Sequence, residues 1–235
     1  MNRLILEEKD FILPGRCRIT GRRFRQLVDV IKSPVGKVCK AGLLNGKRGT
    51  AEVIEVNPDS IVLDVDLQED SPAPCNVRVA IAMQRPQTFS KVLHIATTMG
   101  VKELLFFHSF KVEKSYWQSP RIQAENYIKD LTEALEQCGD TVTPQIRFCS
   151  KFKDFTEGIL QDFSRNTQMI FGDPSASDDP LDYNKRPVTL IVGPEGGFTE
   201  YETGKLRELN AAGVTLGPRI LRTEYALAAL LGKLS

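Results

Sequence analysis

A chain of 235 residues, 41 % apolar, 26 % charged and with a formal net charge of +1, is long and apolar enough for one large domain or for a small domain beside a medium one. No apolar run reaches the length that spans a bilayer, so no membrane contact is expected. The charged first ten residues do not read as a secretory signal, which makes the cytoplasm the expected compartment. Cys17, Cys39, Cys75, Cys138 and Cys149 form no CxxC pair and complete no zinc spacing with His94 and His108. They are expected to be reduced and mostly buried, and no metal site is expected.

The near-zero net charge hides an asymmetry. Residues 1–48 hold twelve Lys and Arg against four Asp and Glu, residues 49–70 hold seven acids and no base, and the remainder holds nineteen of each. A basic N-terminal segment suggests docking of a polyanion, with Arg16, Arg18, Arg22, Arg23 and Arg25 as phosphate contacts. A solvated charged face has the same composition.

The first 70 residues read as short strands punctuated by glycine, with a short helix over 22–31. Residues 50–56 alternate polar and apolar, Asn57-Pro58-Asp59 makes a turn, and residues 60–67 continue the alternation, which predicts a hairpin. Together they suggest a small β-barrel-like domain over 1–70. The polar, proline-bearing stretch 68–74 reads as a linker, and from residue 75 the rhythm changes. A buried strand is expected at 77–83, a helix at 88–99 ending at Gly100, a strand at 104–107, and a long helix at 120–138 with proline near its start and Gly139 past its end. A strand at 146–148, a helix at 152–163 and strands at 169–171 and 188–192 follow. A helix at 199–209 opens with the capping-box spacing of Thr199 and Glu202. A strand at 214–216 and a helix at 223–231 complete the pattern, with Thr223 as expected N-cap. Strands alternating with helices predict an α/β domain with a parallel sheet covered on both faces.

Three loops follow the last three strands: 171–174, 193–198 and 216–224. Ligands bind at that edge of an open parallel sheet, and glycine in each loop lets the backbone approach them closely. No Gly-Lys-Ser/Thr follows Gly193-Pro194-Glu195-Gly196-Gly197, the Rossmann spacing is absent, and Glu195 would repel a phosphate, so a nucleotide-phosphate loop is disfavoured.

The segment Leu190-Ile-Val-Gly-Pro-Glu-Gly-Gly-Phe-Thr199, taken with Leu216-Gly-Pro-Arg-Ile-Leu-Arg-Thr-Glu224, resembles the RsmE family. These are SPOUT-class methyltransferases that act on N3 of a uridine in bacterial 16S ribosomal RNA. More weakly, Arg3, Val30-Ile-Lys32 and residues 42–51 resemble the family's PUA-like RNA-binding domain. The resemblance implies a PUA-like domain over 1–70 and a methyltransferase domain over 75–235 with a C-terminal trefoil knot. It also implies a homodimer that acts on ribosomal RNA or the small ribosomal subunit. Its cofactor would be S-adenosylmethionine, held by Phe171, Gly172, Ile191, Gly193, Pro194, Gly196, Gly197, Leu216, Gly217, Ile220, Leu221, Thr223 and Ala226. Arg3 would join the RNA contacts.

Methylation at N3 must also remove the imide proton. Arg222, then Arg219, are the candidates to stabilise the uridine anion, with a salt bridge to Glu195 or Glu224 as the structural alternative. Glu195 or Glu224 is the candidate proton acceptor, and Glu224 equally suits the first turn of the last helix. Ile95, Thr98, Phe110 and Asp140 stand where the family usually carries charged groups. His94 is a replacement base or a packed side chain, and Trp117 a stacking platform or a surface anchor. An RsmE-like paralogue with another RNA target, and a non-catalytic RNA-binding protein that keeps the knot, are the competing readings.

Overall fold

Residues 2–30, 32, 34–176 and 186–234 are described by the computed structural model. Contacts divide the chain into one unit of Met1–Ala73 with Thr132–Thr143 and another of Pro74–Leu131 with Pro144–Ser235.

The first unit carries β1 (Leu4–Leu6), β2 (Phe11–Leu13), β3 (Arg16–Thr20), α1 (Gly21–Arg25), β4 (Val38–Leu43), β5 (Arg48–Val56) and β6 (Ser60–Glu69). Its sheet runs β1-β4-β5-β6-β3-β2, antiparallel except for the β1–β4 pair. The expected hairpin is β5–β6, closed by the Asn57 amide on the Ser60 carbonyl at 2.8 Å. Two register shifts in this pair curl the sheet, so that Leu6, Cys17, Ile19, Leu27, Val53, Ile61 and Leu63 share one core. At one shift a Cβ on Gly49 would sit 2.0 Å from the Asp66 carbonyl oxygen, so only glycine lets the strands approach there.

Residues 132–143, which the sequence pattern leaves with the C-terminal part, join this unit through polar contacts. Thr141 donates to the Gly46 carbonyl at 2.5 Å, and Asn45 accepts from the Thr143 amide at 2.9 Å. Arg3 closes the arrangement. Its guanidinium reaches the carbonyls of Ala41 at 2.6 Å, Gly139 at 3.0 Å and Gly49 at 3.3 Å, and the residue is only 7 % exposed.

The second unit carries β7 (Val77–Ala82), α2 (Pro86–Thr98), β8 (Glu103–Phe107), the first part of α3 (Ala124–Cys138) and β9 (Gln145–Cys149). Next, α4 (Phe152–Asp154) runs through a π turn into α5 (Leu160–Phe163), followed by β10 (Gln168–Gly172), β11 (Val188–Val192), α6 (Glu200–Glu208), β12 (Ala212–Val214) and α7 (Thr223–Leu234). The sheet order is β12-β10-β11-β7-β8-β9, parallel throughout. This is the expected α/β architecture. β11, apolar except for Thr189, is buried along its whole length, as a central parallel strand must be. Phe107 stacks on Phe155 with ring centroids 3.9 Å apart, fixing the helical run 152–163 to β8. After β12, at one sheet edge, α7 returns to pack on α2 and β11.

Three sequence expectations shift. The last strand is Ala212–Val214, so Leu216 lies in the following loop. The long helix begins at Ala124, after a separate short turn at Pro120–Ile122. Thr223 is the first helical residue of α7 rather than the residue before it. Among the described residues no helix is long and apolar enough to cross a membrane.

Replacing Arg3 by alanine removes the buried hydrogen bonds to three carbonyls and should cost on the order of 3 kcal/mol. A urea titration of Arg3→Ala that matches the parent would refute this structural role.

Candidate active site

Because β12, β10 and β11 are neighbours and parallel, their carboxyl ends deliver residues 173–175, 193–198 and 215–221 to one place. There they line a cavity of about 470 Å³, completed by Thr223, Ala226 and Leu230 of α7. Of the residues expected to hold a cofactor, Gly172, Gly193, Pro194, Gly196, Gly197, Leu216, Gly217, Ile220, Leu221, Thr223 and Ala226 line it. Phe171 and Ile191 do not; they are fully buried in the sheet beneath.

Sequence determines how the loops hold their shape. Gly197 has φ +69° and closes a turn with its amide on the Pro194 carbonyl at 2.8 Å. Gly217 has φ +96°, and its amide is bound by Thr215 Oγ1 at 3.2 Å. Side chains rarely adopt that backbone region, so both positions call for glycine. Phe198 seats the middle loop, stacked at 6.3 Å from Phe107 and edge-on at 6.2 Å to Phe171. A Cβ on Gly193 would lie 3.1 Å from that Phe198 ring.

Carboxylates brace each loop, and each is already partnered. Asp173, 7 % exposed, accepts from the Ser175 amide at 2.9 Å and hydroxyl at 2.6 Å, and from Arg207 at 2.8 Å. Glu195 meets the Arg85 guanidinium, with Nε at 2.6 Å from Oε1, and the Thr88 hydroxyl at 3.2 Å. Glu202 is 1 % exposed; it accepts from the Thr199 amide at 2.8 Å and the Phe110 amide at 2.9 Å, joining the β11 loop to the segment after β8. Burial pushes its carboxyl up, but these hydrogen bonds outweigh burial and hold it below the usual carboxylate range. In Glu224, likewise, burial acts upward, while its own amide and Lys91, at 3.2 Å, hold the carboxyl below that range.

The expected pairing of Arg219 or Arg222 with Glu195 or Glu224 is therefore replaced by Arg85 and Lys91. Arg219 lines the cavity and Arg222 is exposed beside it. Among the described residues neither arginine forms an ion pair. The cavity keeps apolar walls, backbone groups and one uncommitted cation, a setting for an uncharged or zwitterionic ligand rather than a polyphosphate.

Other candidates fall elsewhere. His94 is half-buried on α2 and does not line the cavity. Trp117 donates from Nε1 to His108 Nδ1 at 3.0 Å and lies edge-on to Phe148, which makes it an anchor of its loop. Burial holds His108 below its usual pKa, in keeping with the neutral ring that this acceptor role requires. Ile95 packs on the core, Thr98 is exposed, Phe110 is 81 % exposed, and Asp140 binds the amides of Thr141 and Val142.

In the first unit Arg16, Arg18 and Arg25 are exposed, and Arg22 reaches Glu136 at 3.3 Å. Arg3 and Arg23 are corrections to the expected RNA contacts. Arg3 is consumed by carbonyls, and Arg23 forks onto Asp10 at 2.7 and 2.8 Å while also reaching the Ile5 carbonyl. The acidic run falls on the exposed side of β5–β6, where Glu52 faces Asp64. Sequence reasoning missed Arg85, Lys91 and Arg207. Each meets its carboxylate from a distant part of the chain, so no local spacing announces the pair.

Fold and cavity together define an α/β protein with a loop-built small-molecule site at the carboxyl edge of a parallel sheet, preceded by a small curled β unit. A family model for an RNA methyltransferase domain matches residues 71–235, and the chain belongs to that family. The ribosomal RNA small subunit methyltransferase E of Treponema pallidum is 26 % identical over 240 residues, covering 96 % of this chain and 88 % of that protein. The protein of the same name from Bacillus subtilis is 26 % identical, covering 90 % and 88 %. The crystal structure of the Neisseria gonorrhoeae protein of that name, bound to S-adenosyl methionine, shares the fold with a TM-score of 0.75 at 20 % identity, over 100 % of this chain and 96 % of that one.

Glu202 and Glu224 titrate lower folded than unfolded, so the folded chain binds fewer protons and their stabilisation is complete at neutral pH. It should be lost as pH falls through the ordinary carboxylate range toward their folded values. Unfolding free energies measured across acid pH should decline less steeply for Glu202→Gln than for the parent; equal slopes would contradict the assignment.

Proposed function

We propose that this chain is a cytoplasmic S-adenosylmethionine-dependent methyltransferase of small-subunit ribosomal RNA, that it acts on N3 of a uridine, and that it works as a homodimer. In this reading the first unit is a PUA-like RNA-binding domain, and the return of α7 from the sheet edge belongs to a trefoil knot. The observation that carries the proposal is the cavity built by three glycine-bearing loops at the ends of three adjacent parallel strands. The family match and the relatives' names support the rRNA substrate, and the apolar, phosphate-averse lining supports the cofactor.

The residues present fit that cofactor. The glycines leave their stretches of the cavity wall to backbone rather than side chains, and Val192, Val214, Leu216, Leu221 and Leu230 offer apolar contact to a purine. When bound, S-adenosylmethionine supplies an electrophilic methyl group on its sulfonium. The three loops would hold the cofactor and orient that group toward the target base, and such positioning would provide much of the rate. Arg222, with Arg219 in the cavity wall, stabilises negative charge as the uridine imide gives up its proton to solvent water at the open mouth. Glu195 and Glu224 serve as braces for Arg85 and Lys91 rather than as the proton acceptor. The exposed apolar side chains Ile220, Leu221 and Tyr225, at the mouth and on the first turn of α7, suit a covering second copy.

A second reading, a paralogue with a different target nucleotide, is favoured by Phe110, an exposed ring where the family usually has a charge.

Calorimetry should detect S-adenosylmethionine binding; absence of binding ends the enzyme reading. Arg222→Ala should lower methyl transfer to small-subunit RNA about 100-fold while leaving cofactor affinity nearly intact. An unchanged rate removes Arg222 from the mechanism. Nucleoside mapping of RNA from a deletion strain tests the uridine-N3 assignment, which fails if that modification persists with no second enzyme present.

A further inference from the structure

We infer that the catalytic unit carries its own RNA-gripping surface, made by Arg85, Lys91, Lys111 and Arg121 around the mouth of the cofactor cavity and fitted to the phosphates flanking the target nucleotide. The inference rests on the methyltransferase reading above and adds a binding surface to it.

The four cations come from separate stretches of sequence, and their contacts bring them to one place. Arg85 grips Glu195 in the 193–198 loop, and Lys111 reaches the carbonyl of the next residue, Gly196, at 2.7 Å. Lys91 holds Glu224 at the start of α7, next to Thr223, which lines the cavity. Arg121 binds the Ser90 hydroxyl at 2.8 Å, beside Lys91. Arg219 lines the same cavity.

Pairing does not bury these groups. The side chains of Arg85 and Lys91 stay 57 % and 56 % exposed while bonded, and Lys111 and Arg121 are exposed with only uncharged partners. Of the acids here, Glu195 meets Arg85, Glu224 meets Lys91 and also feels Arg222, Glu113 holds the Tyr116 hydroxyl and buried Glu202 holds the Phe110 amide. Among the described residues Lys111, Arg121, Arg219 and Arg222 form no ion pair, so the six cations outnumber these four acids.

An exposed cation whose only partner is a carbonyl or hydroxyl gains little from that bond and much from a phosphate. Of the surplus only Arg219 lines the cavity; Lys111, Arg121 and Arg222 stand outside its lining. A polyanion would therefore lie across the mouth while one uncharged base enters. In the first unit, by contrast, Arg3 and Arg23 are committed internally, which leaves fewer cations there than the composition suggests.

The test uses Lys111→Met with Arg121→Gln in the full chain, which keeps both stems and removes both charges. Binding of fluorescein-labelled small-subunit RNA is followed by anisotropy over a potassium chloride series without cofactor, and S-adenosylmethionine affinity is measured separately. The double variant should bind RNA more weakly at low salt. The slope of log affinity on log salt should fall by about 1.4, two single-strand phosphate contacts at roughly 0.7 each. Arg121→Gln alone should lower the slope by about 0.7 with cofactor affinity and melting temperature unchanged, and Lys153→Met, an exposed lysine on α4, should leave the slope alone. An unaltered slope in the double variant, or an equal fall in Lys153→Met, overturns the inference. A parent chain that binds RNA with the expected slope change but no S-adenosylmethionine would sink the methyl-transfer reading instead and leave the surface standing.

Discussion

The second unit depends on one topological constraint: β10, the strand before β11 in sequence, pairs with both β11 and β12, and all three run parallel. Parallel neighbours cannot be joined by tight turns, so each connection must leave from the same edge and travel. Three loops therefore crowd one end of three adjacent strands. Crowding favours residues that take little room or hold their own shape, which is why glycine, proline and short polar side chains make up 172–175, 193–197 and 215–218 apart from Glu195 and Leu216. A concave, backbone-lined cavity is the consequence of that crowding.

Loops without regular hydrogen bonding need other restraints, and here they are carboxylates. Asp173, Glu195, Glu202 and Glu224 each tie a cavity loop or helix end to another part of the unit: α6, α2 and Arg85 just before it, the segment after β8, and α2 again. Burial alone would favour protonated carboxyls. The amides and cations aimed at Glu202 and Glu224 reverse that and keep both ionised, so the braces hold at neutral pH. Negative charge near the cavity is thus structural and balanced, and the ligand meets apolar surface and peptide groups.

Much of this was legible in the sequence because it is periodic or local. The alternation of β5 and β6, the buried run of β7, the capping box at Thr199 and Glu202 and the three glycine loops all announce themselves within a few residues. What was not legible is long-range. Arg3 looks like a solvent-facing cation until its partners at Ala41, Gly49 and Gly139 are known. Residues 132–138 read as the end of a helix, and nothing in that pattern says that Asn45 and Gly46 will capture the segment after it. Strand β12 was misplaced by two residues because Thr215 and Leu216 are good strand formers, whereas the loop geometry around Gly217 takes precedence.

The treatment of charge separates the two signs. In the second unit the acids closest to the cavity have partners, while Arg219 and Arg222 have no ion pair among the described residues. An exposed arginine left unpaired keeps its side-chain freedom, so it stays available to a ligand at no cost to the fold. A cation held next to a neutral cavity raises the local concentration of any polyanion. It also strengthens whatever negative charge develops on a base inserted there, because the apolar walls screen it poorly. The same two arginines therefore suit capture and chemistry at once, and charge removal at Arg222 is where the two roles can be told apart: a loss of rate at saturating RNA reports on the chemistry, and a loss only at low RNA reports on capture.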